Sequence, residues 1–144
     1  MNPDFVDLLR AFIGAHVRFM IVGAYALAVH GRPCATGDLD IWIDATPEHA
    51  PRVMQALAAF GAPLGEIAQA DFARPGVVYQ MGVPPGRIDL LTELTDLRFE
   101  QAWPDRIRRL FGELEVDFID RASFLRNKRA TGRLKDLSDI EGME

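Results

Sequence analysis

Residues 35–43 read ATGDLDIWI, an apolar run that carries two aspartates, Asp38 and Asp40, one residue apart. In a β-strand successive side chains alternate faces, so the two carboxylates point the same way while Leu39 and Ile41 point the other. Two like charges about 5 Å apart repel by roughly 3 kcal/mol at an effective dielectric near 20. A strand inside a sheet tolerates that pair only beside a compensating cation. An edge strand, screened by water, tolerates it alone.

The surrounding chain favours the first reading. FMIVGAYALAVHG at 19–31 reads as strand, glycine, helix. Gly23 lets backbone approach a ligand, and the N–H groups opening the helix suit an anion such as phosphate. Further on, RIDLL at 87–91 places a third acid, Asp89, inside another apolar strand. Three carboxylates on one sheet face match the oxygen donors that Mg²⁺ or Mn²⁺ prefers, and such ions carry nucleotide phosphates.

Composition sets the frame. The 144 residues suffice for a single domain with a hydrophobic core, and 49% hydrophobic with 26% charged residues is a globular balance. Cys34 is the only cysteine, which excludes an intrachain disulfide and reads as inert. MNPDFVDLLRAF lacks the basic start of a secretory signal. The longest apolar run, 19–29, is 11 residues, short of the roughly 20 that cross a bilayer. A cytoplasmic protein with no membrane partner is expected. Net charge is −5, yet residues 106–135 hold nine basic and four acidic residues, a local +5. That excess reads either as a solvated surface or as one that meets phosphates of a nucleotide or RNA.

The element pattern is α+β. Asn2-Pro3 is a cap followed by the residue suited to a first helical position, so a helix is expected to about Ala15. A strand is expected over 17–22, a helix ending at Gly31, and the Asp38/Asp40 strand. Thr46-Pro47 predicts the start of a helix that stops at Gly61. Strands at 77–81 and 87–91 flank GVPPG, and strands at 107–111 and 114–118 flank Gly112. A short helix precedes Pro104, and helical spacing resumes after Asp120. The expectation is one domain, 1–144, with a mixed twisted β-sheet and helices packed on one face.

VGAYALAVHGRPCATGDLDIWI followed by RIDLL resembles the nucleotidyltransferase superfamily with the DNA polymerase β-like catalytic fold. Gly23 takes the place of that pattern's glycine, and Asp38, Asp40 and Asp89 take the places of its acids. GVPPGRIDLLT and FLRNKRATGRLKDLSDI are further similar to the bacterial abortive-infection and toxin–antitoxin type (AbiEii-like) enzymes. The resemblance implies transfer of a nucleoside monophosphate from an NTP such as ATP to a hydroxyl, releasing pyrophosphate. It implies Mg²⁺ or Mn²⁺ on Asp38, Asp40 and Asp89, these three also being the catalytic residues. It implies phosphate contacts from Gly23, Ala24, Lys128, Arg133 and Lys135, with Asp136 and Asp139 as supports. Thr36 and Arg32 are further candidates on the loop before the acids, each equally readable as an ordinary loop residue. Ala24 departs from the pattern, which has Gly or Ser there, so a phosphate-binding hydroxyl is missing at that place.

The acceptor stays open between a tRNA 3′ end, a partner protein's hydroxyl and a small molecule, and the resemblance adds a cognate antitoxin or toxin as a partner. The alternative is a non-catalytic module that binds a nucleotide or partner on the same fold. Tyr25 reads as core or as a base-stacking ring, His30 as a helix-end residue, and Arg87 as a partner for Asp89 on the same strand face.

Overall fold

A computed structural model describes residues 2–31, 37–83 and 86–132. Helix α1 spans Pro3–Gly14; the Asn2 side chain accepts the Asp4 N–H, and Phe5, Leu8, Leu9 and Phe12 form its buried stripe. Strand β1 (Phe19–Val22) runs directly into helix α2 (Gly23–Val29), and β2 is Leu39–Ile43. Helix α3 is Ala50–Phe60, stopped by Gly61 in the left-handed conformation. Strands β3 (Val78–Met81) and β4 (Ile88–Leu91) form one antiparallel pair, β5 (Ile107–Phe111) and β6 (Leu114–Phe118) another. Short α4 (Phe99–Ala102) lies between these pairs, and α5 (Arg121–Thr131) follows, capped by the Asp120 carboxylate on the Ser123 N–H. Among the described residues no helix is long and apolar enough to cross a membrane.

The six strands form one sheet in the order β3-β4-β2-β1-β6-β5. β2 pairs parallel with β4 and β1 parallel with β6, and the remaining pairs are antiparallel. The sheet is mixed, as the α+β pattern implied. The aspartate strand β2 is third in this order, so it is not an edge. Leu39, Ile41 and Ile43 point into a core shared with Phe19, Ile21, Leu90 and Phe118, and α1 closes it through the Phe12–Phe19 edge contact at 5.4 Å. α1 packs in turn on α3. The opposite face carries the acids, with α4 and α5 beside it.

Two boundaries differ from expectation. β1 begins at Phe19, because His16 sits at φ 58 and turns the chain just before it. α3 begins at Ala50, three residues later than Thr46-Pro47 promises. The reason is Pro51. Begun at Pro47, the helix would hold Pro51 where an i→i−4 N–H is required, whereas a start at Ala50 places it in the first turn. The intervening residues turn instead, with both His49 and Ala50 N–H bonding Thr46 C=O. A 3₁₀ turn at Gln69–Ala73, which buries Phe72, had no signal in the periodicity.

His49 ties this turn to β1. Its Nε2 accepts the Arg18 backbone N–H, which requires the neutral ring, and burial holds its pKa below 6.5. With a folded pKa below the unfolded value, its contribution is complete above pH 6.5 and lost as pH falls through the folded pKa. His49→Gln is expected to remove this slope from melting temperatures measured between pH 5 and 8.

Candidate active site

Asp40 is the register partner of Asp89 on β4 and of Val22 on β1, so both carboxylates stand on the polar face in adjacent strands. They meet: the Asp40 carboxyl hydrogen-bonds Asp89. Burial first, then the Asp89 charge and that hydrogen bond, push the Asp40 pKa up to about 6, against a small lowering from Lys128. Gly23 stands against the same side chain at φ 70. A Cβ there would overlap Asp40 Oδ2 and lie 3.1 Å from its Cβ. Gly23 is therefore required twice, for its conformation and for Asp40's room.

Asp38 is close but differently engaged. Its Oδ1 accepts the backbone N–H of Arg87 at 3.0 Å and of Gly86 at 3.2 Å, fastening the start of the β2–β4 pairing. Arg87 projects between the acids. Its Nε lies 2.9 Å from Asp89 Oδ1, its Nη2 3.2 Å from Oδ2, and Nη2 is 3.8 Å from Asp38 Oδ2. This is the cation an interior strand with two aspartates needs.

Among the described residues no three Asp, Glu, His or Cys side chains converge on one point as a ready metal cage. The Asp40–Asp89 pair nonetheless fits a divalent cation, because two crowded carboxylates offer it oxygen donors and lose their mutual repulsion when it binds. Asp38 would join them through Oδ2.

A cleft of about 210 Å³ opens beside Asp40, bounded by Gly23, Leu91, Glu93, Phe124, Asn127 and Lys128. The Lys128 ammonium lies 5.3 Å from the Phe124 ring centroid. His30 supports this wall, its Nε2 bonding Ile119 C=O at 2.8 Å and its ring lying against Phe124. Glu93 and Asn127 escaped the sequence reading. Glu93 continues the alternation Arg87, Asp89, Leu91, which was the available signal.

The remaining candidates divide. Ala24 is the second residue of α2, half-buried. Tyr25 is half-buried and packs against the core between Phe5 and Phe111, at 6.0 and 5.1 Å. Arg32, Cys34, Thr36, Arg133, Lys135, Asp136 and Asp139 lie outside the described residues. In the basic segment, Arg106 and Arg108 both engage Asp117, and Arg126 engages Asp96. A larger hollow of about 500 Å³ along β5, lined by Val29, Arg108, Arg109, Leu110 and Glu115, contains none of the clustered aspartates.

No protein-family model matches this chain, and no match to it is found among curated proteins. Among solved structures it is similar to an antigenic nucleotidyltransferase-like protein from Paracoccidioides brasiliensis, with a TM-score of 0.54 at 19% identity. The match covers 97% of this chain and 72% of that one. At that identity the likeness speaks for architecture: the fold is nucleotidyltransferase-like.

Proposed function

We propose that this chain is a metal-dependent nucleotidyltransferase. The observation that carries the reading is the register pair Asp40–Asp89 on the polar face, with Gly23 the only residue type that fits against Asp40. Asp40 and Asp89, with Asp38, would hold Mg²⁺ or Mn²⁺. Bound there, such an ion would supply Lewis-acid polarisation of the α-phosphate and of the acceptor hydroxyl.

The chain's own residues do the rest. Asp89 receives the proton of the acceptor hydroxyl as its oxygen bonds the α-phosphorus. The bond from that phosphorus to the β-phosphate oxygen breaks, and pyrophosphate leaves. Lys128, on the cleft wall, faces the phosphate chain and offsets its charge, and the backbone at Gly23 and Ala24 passes close to it. Arg32, Thr36 and Arg133 are proposed phosphate contacts by resemblance. The acceptor is an RNA such as a tRNA end, a protein hydroxyl or a small molecule. Membership of a toxin–antitoxin pair with a cognate partner rests on resemblance to the abortive-infection type alone, and the cytoplasmic setting on composition.

Incubation with NTPs labelled at the α-phosphate, alongside RNA, protein and small-molecule fractions, tests the reaction. Label from the α-position but not the γ-position is expected in one fraction. No transfer to any fraction, with Mg²⁺ or with Mn²⁺, contradicts it. Lys128→Met is expected to weaken Mg²⁺–NTP binding about tenfold in a calorimetric titration, with stability changed by about 0.5 kcal/mol or less.

A further inference from the structure

The Arg87 guanidinium is held by a fork to both oxygens of Asp89, at 2.9 and 3.2 Å, and lies 3.8 Å from Asp38 Oδ2. Those are two of the three acids assigned to the cation. Arg87 has this place by construction: it lies two residues before Asp89 on β4, on the same strand face, and its N–H and C=O bond Asp38 and Leu39 at the start of β2. The side chain is about one-third exposed.

We propose that Arg87 is a resident counter-ion which occupies the metal's place and is exchanged for it, so that the cation enters together with a nucleotide. The inference rests on the metal-site reading above. A guanidinium and a divalent ion on the same carboxylate oxygens repel each other, so the bare cation must displace an ion pair that is already made. A cation arriving on a triphosphate has a different balance. The phosphates supply further oxygen ligands to the metal and a new anionic partner for the released guanidinium. Arg87 thereby acts as a positioning residue: it keeps Asp38 and Asp89 in place and neutralised between turnovers, and it lowers affinity for metal without substrate.

Mn²⁺ alone is titrated calorimetrically into the wild type, Arg87→Met and Arg87→Lys, and the titrations are repeated with ATP present. Arg87→Met is expected to bind Mn²⁺ alone about tenfold more tightly than wild type. Arg87→Lys, which keeps a charge but loses the fork, falls between. ATP should tighten Mn²⁺ binding more in wild type than in Arg87→Met. Equal or weaker Mn²⁺ binding by a folded Arg87→Met chain overturns the exchange and leaves the metal site standing. Failure of all three chains to bind Mn²⁺, with or without ATP, removes the metal site and the exchange together. The Nε–H resonance of Arg87 in the ¹⁵N-labelled wild type supplies a check free of substitutions. It is expected to shift as Mg²⁺ and ATP are added, and a resonance unmoved at saturation overturns the exchange.

Discussion

Asp40→Asn is expected to abolish nucleotidyl transfer, by about a thousandfold or more, while making the metal-free protein more stable at pH 7.5. Both effects follow from the same carboxylate. Its oxygen faces Asp89 in register, and burial with that neighbouring charge raises its pKa from 3.8 to about 6. A folded pKa above the unfolded one means that the stabilising contribution is complete below pH 3.8 and lost as pH rises through about 6. At pH 7.5 the ionised pair therefore costs the fold something on the order of 2 kcal/mol. The amide carries no charge and escapes that cost. Its melting temperature is expected about 5 °C above wild type at pH 7.5, with little difference at pH 4. Thermal melts of the two chains across this range, without metal, check the sign, and transfer assays check the activity.

The second large effect belongs to Gly23. Gly23→Ala places a methyl group against Asp40 Oδ2 and imposes φ 70 on a residue with a side chain. The expected cost is about 1–3 kcal/mol, with NTP binding lost because Asp40 must move. A double-mutant cycle isolates the cause. In an Asp40→Ala background the carboxylate is gone, so Gly23→Ala should cost only the backbone strain. A coupling of about 1 kcal/mol or more is expected from chemical unfolding of the four chains. Additive effects would mean that the two residues do not press on each other.

Much of this site was readable before the fold was known, because it depends on local rules. Alternation put Asp38 and Asp40 on one face, and strand–glycine–helix marked Gly23. Thr46-Pro47 misplaces the α3 start, although Pro51 carries a local signal against it. Other features depend on contacts distant in sequence. That Asp40 meets Asp89 follows from a parallel pairing across 49 residues, which no local pattern encodes. The same pairing turns Asp38 onto the amides of Gly86 and Arg87, so that a set of three acids becomes a touching pair with a third beside it. Arg87 as a partner of Asp89 was visible from its spacing, whereas its reach to Asp38 needed the sheet. Glu93 and Asn127 come together with Asp40 only because α5 folds back beside β4.

The most direct measurement is calorimetric titration of the four NTPs, with and without Mg²⁺, into the wild type and an Asp38→Ala/Asp40→Ala variant. The expected result is NTP binding that requires Mg²⁺ in the wild type and disappears in the variant. NTP binding that ignores the metal, or that survives removal of both acids, would contradict the proposed site.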